Sequence, residues 1–160
     1  MSGAVSSHPP PPGPRAGSRF GAGPAPKTCR LRHTLAPGDA AALAGLLAEL
    51  GWGGRDDAAR AEALLRGATW FALAETEGVL VGYARALSDG VAVTYLAELG
   101  VAATHRRRGI GSALLGAAVA GFGHTAIYAG ATPGAAALLV RHGVRPRPGH
   151  LIACARTPGA

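Results

Sequence analysis

Residues 91–121 have the sequence VAVTYLAELGVAATHRRRGIGSALLGAAVAG, and this stretch decides the fold that we expect. An apolar extended segment ends at Val101, and a loop with three consecutive arginines, Arg106–Arg108, follows it. Gly109 and Gly111 then open a small-residue apolar segment with the composition of a helix. The stretch therefore predicts a strand, a glycine-bearing turn and the start of a helix.

A junction of this kind is suited to binding an anion, most often a phosphate. The N–H groups of a helix's first turn lack partners within the helix, and the helix dipole adds positive potential. Glycines allow the main chain to press against phosphate oxygens, while neighbouring guanidinium groups supply charge and bidentate hydrogen bonds. We therefore predict a diphosphate site at residues 106–112.

Two common phosphate-binding motifs fit this site poorly. The dinucleotide fingerprint G-x-G-x-x-G requires a third glycine, but Leu114 stands there and no acidic residue lies at the expected distance on a second strand. The P-loop requires a lysine after its second glycine, and none follows Gly109 or Gly111. A further interpretation is a basic loop that only caps an ordinary helix.

The run Arg106-Arg107-Arg108-Gly109-Ile110-Gly111 resembles the R-x-x-G-x-G acyl-CoA-binding motif of the GNAT superfamily of N-acyltransferases. Residues 82–90 are also similar to the G-x-x-R-x-x-S-D-G motif of bacterial members. The resemblance implies that acetyl-CoA is the acyl-donor cosubstrate. The residues that it assigns to the acyl-CoA site are Leu99, Gly100, Val101, Arg106, Arg107, Arg108, Gly109, Ile110, Gly111 and Ser112.

The rest of the chain matches the family's order of elements from about residue 28 to 156. We predict strands at Thr28–Arg32, Trp70–Glu75, Leu80–Leu87, Val91–Val101, His124–Tyr128 and His150–Arg156, and helices from Asp39, at Asp56–Arg66 with Asp56 or Asp57 as cap, after Gly109 and at Ala135–His142. The implied fold class is α+β, with a mixed, mostly antiparallel sheet flanked by helices. Its central strand is expected to splay from its neighbour and bind acyl-CoA.

Composition divides the chain into two parts. Residues 1–26 are rich in Pro, Gly and Ala and predict a disordered leader, and residues 27–160 predict a single domain. No apolar run is long enough for a secretory signal or a membrane span. Cys29 and Cys154 are too far apart for a disulfide framework, so we expect a cytoplasmic protein with Cys154 in the core.

The charge balance alone would favour a nucleic-acid-binding domain. The net charge is +7 and the sequence pI is about 10.7. However, Lys27 is the only lysine, and no aromatic residues are interleaved with the arginines. We therefore expect neither a nucleic-acid partner nor a membrane partner.

Glu98 is the first candidate for a catalytic residue. An ammonium group has no lone pair, so a base must accept its proton before the amine attacks a thioester. Strict alternation along the strand would place Glu98 on one face with Leu96 and Gly100. The alternative interpretation is a structural glutamate that forms a salt bridge with Arg85 on the adjacent strand. Backbone N–H groups around Leu99–Val101 would stabilise the negative charge on the thioester oxygen.

Two residues depart from the family pattern, Leu139 at the position of a tyrosine and Val144 at the position of a phenylalanine. Many members carry a tyrosine in a Y-x-x-x-G-F run that protonates the thiolate leaving group, and Leu139 stands at that position here. The thiolate then leaves unassisted, or Tyr128, Tyr95 or His142 replaces the tyrosine, or the protein binds CoA without turnover. His142 and His105 are otherwise expected to be surface residues, and no residues have metal-ligand spacing.

The acceptor is expected to be an amine, and we favour a small-molecule amine over an amine of a protein. Trp52, between the first two helices, is either a substrate-facing aromatic or a buried anchor. The oligomeric state stays open, with a homodimer as one option.

Overall fold

The computed structural model describes residues 29–53 and 57–147. Its strands are β1 Cys29–Arg32, β2 Trp70–Thr76, β3 Val79–Ser88, β4 Val93–Val101 and β5 Ala126–Ala129, and its helices are α1 Asp39–Glu49, α2 Ala58–Arg66, α3 Ile110–Phe122 and α4 Pro133–Arg141. The predicted α+β class and element order are confirmed for these residues. The leader at 1–26, Asp56, the strand at 150–156 and Cys154 lie outside the described residues.

The five strands form one sheet in the order β1-β2-β3-β4-β5. The first four strands are antiparallel neighbours, and β5 runs parallel to β4. Glu77 and Gly78 form the two-residue β2–β3 turn, and both have positive φ, as the twist of a tight hairpin requires. A parallel pair needs a crossover, which α3 provides.

Two glycines show which helices cover each face of the sheet. A Cβ on Gly82 of β3 would lie 3.3 Å from both Ile110 and Leu114 of α3. A Cβ on Gly100 of β4 would collide with Leu50 at the end of α1. Gly100 pairs with Tyr83, the neighbour of Gly82, and adjacent strand residues point to opposite faces. Helix α3 therefore packs on one face and α1 on the other.

The buried apolar side chains of the described residues form two clusters. The larger cluster joins α1 and α2 to β2 and β3 and also includes the start of α3, and Leu43, Leu65 and Leu73 are almost fully buried in it. The smaller cluster lies between α3, α4 and β4, where Leu115 packs with Leu96. Helix α3 thus contributes to both clusters, which fixes its first turn against the end of β4.

A β-bulge in β4 corrects one expectation from the sequence. Arg85 pairs with Glu98, but the next β3 residue, Ala86, pairs with Leu96, so Ala97 is an extra residue on β4. Arg85 and Ala86 point to opposite faces, and their partners therefore do so too. The expectation that Glu98 and Leu96 share a face was wrong because the extra residue breaks the period of two.

The β3–β4 turn shortens the predicted central strand. One carboxylate oxygen of Asp89 accepts hydrogen bonds from the N–H groups of Val91, Ala92 and Val93 at 2.9–3.0 Å, which ties these residues to the turn. These bonds also lower the pKa of Asp89. The strand consequently begins at Val93 and not at Val91. The S-D-G segment of the sequence motif has this structural role.

Candidate active site

The candidate site lies where β4 and β5 separate. The two strands pair from Val93 with Ala126 to Leu96 with Ala129, while β4 continues to Val101. In the described part of the chain, the backbone of 97–101 has no strand partner on the β5 side. We call this opening the splay. It is the splayed central strand that the sequence led us to expect.

The first turn of α3 stands next to the end of β4. Gly109 is the N-cap of α3 at φ 83°, a left-handed conformation that favours glycine, and no side chain caps the turn. Arg107 is also left-handed, at φ 61°. Arg106 donates a hydrogen bond from Nε to the carbonyl oxygen of Val101 at 3.1 Å. This bond ties the loop before the turn to the strand end, and no side chain caps the N–H groups of the turn.

The residues present at this turn fit a diphosphate. Gly109 is exposed, and the side chains of Arg106, Arg107 and Arg108 around it are exposed as well. The uncapped N–H groups, the helix dipole and three guanidinium groups all favour negative charge at one place. We call residues 106–112 the phosphate cradle.

Glu98 and Arg85 form an ion pair on the face of the sheet opposite α3. Arg85 donates from Nε to Oε2 of Glu98 at 2.6 Å, and the two side chains are 14% and 25% exposed. The structure thus brings together the two residues of the salt-bridge interpretation. A partly buried carboxylate with one oxygen engaged keeps lone pairs to accept a proton, so the pairing is compatible with a base as well.

Trp52 lies against the same end of β4. The tight approach of its ring to Gly100 is shown by an ideal Cβ on that glycine, which would lie 3.1 Å from the ring. The side chain is 43% exposed, and Arg60 of α2 donates a hydrogen bond to its carbonyl oxygen at 3.4 Å. Trp52 therefore combines a packing contact with an open ring surface beside the splay.

Sequence reasoning missed Tyr83. It is fully buried on β3, and its hydroxyl has no hydrogen-bond partner among the described residues. On β3 it shares a face with Arg85, and across the ladder it pairs with Gly100. The sequence shows a tyrosine in an apolar strand, but only the strand register places its hydroxyl beside Glu98.

His142 is buried, so its assignment to the surface was wrong. Its Nε2 atom lies 2.7 Å from Oγ of Ser112 in the first turn of α3, and its side chain is 7% exposed. Burial, and then the charge of Arg141, lower the pKa of His142. His105 is half-buried, with Nδ1 2.9 Å from Oγ1 of Thr104. Packing of α4 on α3, which no local pattern encodes, decides the burial of His142.

Leu139 has no donor and lies in the smaller core cluster with Leu96 and Leu115. Tyr95 and Tyr128, two residues considered as replacements for the missing tyrosine, pair directly across β4 and β5 and are about half exposed. The hydroxyl of Tyr95 reaches towards Gly130, just beyond the end of β5. These tyrosines therefore stand at the mouth of the splay.

Within the described ranges, 29–53 and 57–147, no group of three metal-ligating side chains comes together. No helix in those ranges is both long enough and apolar enough to cross a membrane.

Several solved structures with a similar fold are named as acetyltransferases. A protein named as an acetyltransferase from Deinococcus radiodurans R1 superposes with a TM-score of 0.66 at 24% identity, over 79% of this chain and 89% of that one. A GNAT-family acetyltransferase from Streptococcus pneumoniae TIGR4 gives 0.65 at 19% identity, over 81% and 99%. The aminoglycoside N-acetyltransferase AAC(6')-Iy, solved with a CoA-containing bisubstrate analogue, gives 0.61 at 20% identity, over 81% and 99%.

These identities establish a shared fold. No protein of curated function matches the sequence significantly. The family model for the acetyltransferase (GNAT) family matches residues 46–143, which include α2, β2–β5, the phosphate cradle and α4. The chain therefore belongs to the acetyltransferase (GNAT) family, whose acyl donor is an acyl-CoA.

Proposed function

We propose that this protein is an acetyl-CoA-dependent N-acetyltransferase that acetylates a primary amine of a small molecule. The observation that carries the proposal is the position of the splay directly beside the uncapped first turn of α3. A diphosphate at the phosphate cradle and a thioester in the splay are compatible with one extended CoA molecule. Acetyl is proposed as the acyl group because the resemblance of residues 106–111 to the acyl-CoA-binding motif implies acetyl-CoA as the donor.

The proposed chemistry uses three groups of the chain. Glu98 takes the proton of the acceptor ammonium, which frees the nitrogen lone pair to attack the thioester carbon. Backbone N–H groups within Leu99–Val101 stabilise the oxyanion that forms. The carbon–sulfur bond then breaks, the thiolate leaves with the electron pair, and the nitrogen loses its second proton to water to give the neutral amide. The family's tyrosine is replaced by Leu139, so proton donation to sulfur falls to water or to Tyr95 at the splay mouth.

The acceptor is proposed to carry one ammonium group and not several. A polycation such as an aminoglycoside needs several free carboxylates, but most described carboxylates already accept hydrogen bonds from other groups of the protein. These are Asp39 and Glu75 with Arg32, Glu49 with the Ala103 N–H, Asp57 with the Arg60 N–H, Glu62 with Arg66, Asp89 with its turn, and Glu98 with Arg85. Half-exposed aromatic side chains at Trp52 and Tyr95 favour an apolar or aromatic body on the acceptor instead.

Calorimetry and a thiol-release assay test the proposal together. We expect acetyl-CoA to bind with one-to-one stoichiometry and CoA thiol to be released with an arylalkyl monoamine. The matched comparisons are a lysine peptide, spermidine and an aminoglycoside, which are expected to react more slowly. Release only with a polycation would contradict the proposed acceptor class.

A second candidate is a CoA-binding module without turnover, which Leu139 favours because it has no acidic proton. Acetyl-CoA binding without thiol release across the whole panel would select this candidate. No CoA binding, together with salt-sensitive DNA binding, would instead select the nucleic-acid-binding domain that the net charge suggests.

A further inference from the structure

The buried hydroxyl of Tyr83 is the anomaly from which this inference starts. Tyr83 has no exposed surface, and within the ranges 29–53 and 57–147 its hydroxyl meets no hydrogen-bond partner. Buried polar side-chain atoms in native proteins are almost always paired, and an unpaired one usually marks a functional group or a water site. A phenylalanine would fill the same volume without this penalty.

The surroundings of the hydroxyl give it a specific neighbour. Tyr83 and Arg85 lie on the same face of β3, and Arg85 pairs with Glu98 on β4. Burial raises the pKa of the Tyr83 hydroxyl most, followed by the negative charge of Glu98 and by its carboxylate as a nearby acceptor outside regular hydrogen-bond geometry, while the charges of Arg85 and Arg60 oppose this effect. Tyr83 thus keeps its proton and is a hydrogen-bond donor beside a carboxylate.

The carboxylate has an oxygen available for such a donor. Arg85 donates from Nε to Oε2 of Glu98. The other oxygen, Oε1, is the second acceptor of the same group, and a carboxylate accepts several hydrogen bonds at once. The Glu98 carboxylate is held at one oxygen by this ion pair, so a second donor at Oε1 would fix its remaining rotation.

We propose that Tyr83 is a positioning residue for Glu98, and that its hydroxyl donates a hydrogen bond, directly or through one water, to Oε1 of the carboxylate. This inference rests on the proposed function of Glu98 as the base. The ammonium proton moves to Glu98, the nitrogen keeps the electron pair of the broken N–H bond, and Tyr83 retains its own proton throughout. Tyr83 therefore affects proton transfer to Glu98 and not the affinity for CoA.

Tyr83→Phe tests the proposal because it removes only the hydroxyl. Loss of a hydrogen bond to a charged group should lower kcat about tenfold and move the acidic limb of the kcat/KM profile upward by about one pH unit. The affinity for acetyl-CoA measured by calorimetry should not change. If Tyr83 had only a structural role, removal of its unpaired buried hydroxyl would raise Tm and leave kcat and the pH profile at their wild-type values. That result would overturn the proposal.

Glu98→Gln provides the matched background. If Tyr83 acts through Glu98, adding Tyr83→Phe to Glu98→Gln should cause no further fall in kcat. An equal tenfold fall in both backgrounds would show that Tyr83 acts by another route and would overturn the proposal. If Glu98→Gln alone leaves kcat unchanged, the proposed base fails, which is a separate outcome.

A titration followed by NMR gives a readout that needs no turnover. In protein labelled with carbon-13 at glutamate side-chain carboxyls, the Glu98 signal should titrate at a higher pH in Tyr83→Phe than in the wild type. Identical titration curves would overturn the inference even if the protein proves to be an active acetyltransferase. Should Tyr83→Phe fail to fold, the same comparison with Tyr83→Leu, a smaller apolar side chain without a hydrogen-bond donor, decides the matter.

Discussion

Oγ of Ser112 lies 2.7 Å from Nε2 of His142, and this contact joins the first turn of α3 to the end of α4. Ser112 belongs to the phosphate cradle, whereas His142 follows the last residue of α4. The side chain of His142 is buried, and Gly143, at φ 82°, turns the chain directly after it. The phosphate cradle is therefore held by a hydrogen bond with a buried residue that is distant in sequence.

The first prediction concerns acid stability. Burial lowers the pKa of His142 in the folded state, so as the pH falls below about 6.5 the unfolded chain takes up a proton first. The stability that neutral His142 contributes is present above that pH and is lost as the pH falls towards the folded-state pKa. We expect Tm to fall between about pH 7 and pH 5, and to fall less in His142→Gln. The exposed His124→Gln is the control; an equal fall in all three proteins would contradict the prediction.

The second prediction concerns the phosphate cradle. Gly109 and Gly38 are both left-handed N-cap glycines, at φ 83° and 90°, of α3 and α1. A branched residue at either position is strained, so Gly109→Val and Gly38→Val should each lose about 1–2 kcal/mol of stability. Only Gly109→Val should lose acetyl-CoA affinity, by more than about tenfold. Calorimetry on both folded variants checks this, and unchanged affinity in Gly109→Val would rule out the cradle.

The third prediction concerns the residue at the family's tyrosine position. Leu139→Tyr adds a proton donor, and Leu139→Phe adds the ring alone. Both overfill the cluster around Leu115 and should cost about 1–3 kcal/mol of stability. We expect faster thiol release from acetyl-CoA in the tyrosine variant than in the phenylalanine variant, within the range of about 10²–10⁴ typical of general acids. Equal rates in the two variants would show that departure of sulfur is not limited by its protonation.

The fourth prediction concerns the packing of Trp52 on β4. Gly100→Ala should displace Leu50, which the added Cβ overlaps, and push away the ring of Trp52, which lies 3.1 Å from it. Stability should fall, and the tryptophan emission should move to longer wavelength as the ring enters water. Gly45→Ala is the control, since its Cβ meets nothing within 4 Å on α1 and the change should stabilise the helix by about 0.5–1 kcal/mol. An unchanged emission spectrum in Gly100→Ala would contradict the close approach.

Local patterns in the sequence determined much of this protein. The α3 helix begins after Gly109 as expected, because a left-handed glycine and the following small apolar residues are properties of adjacent positions. The β2–β3 hairpin likewise follows from Glu77 and Gly78 alone. The element order also predicted a further strand reached by a crossover helix, and the resemblance of residues 106–111 to the acyl-CoA-binding motif implied the splay.

Tertiary structure alone decided how the face of the sheet that carries Glu98 is built. The extra residue Ala97 separates Glu98 from Leu96, and no local signal marks a bulge that depends on the register with β3. The same register brings the hydroxyl of Tyr83 and the guanidinium of Arg85 to Glu98. Burial and electrostatic contact depend on groups far apart in the chain, so the sequence determined which residues surround the splay and the packing decided which of them meet.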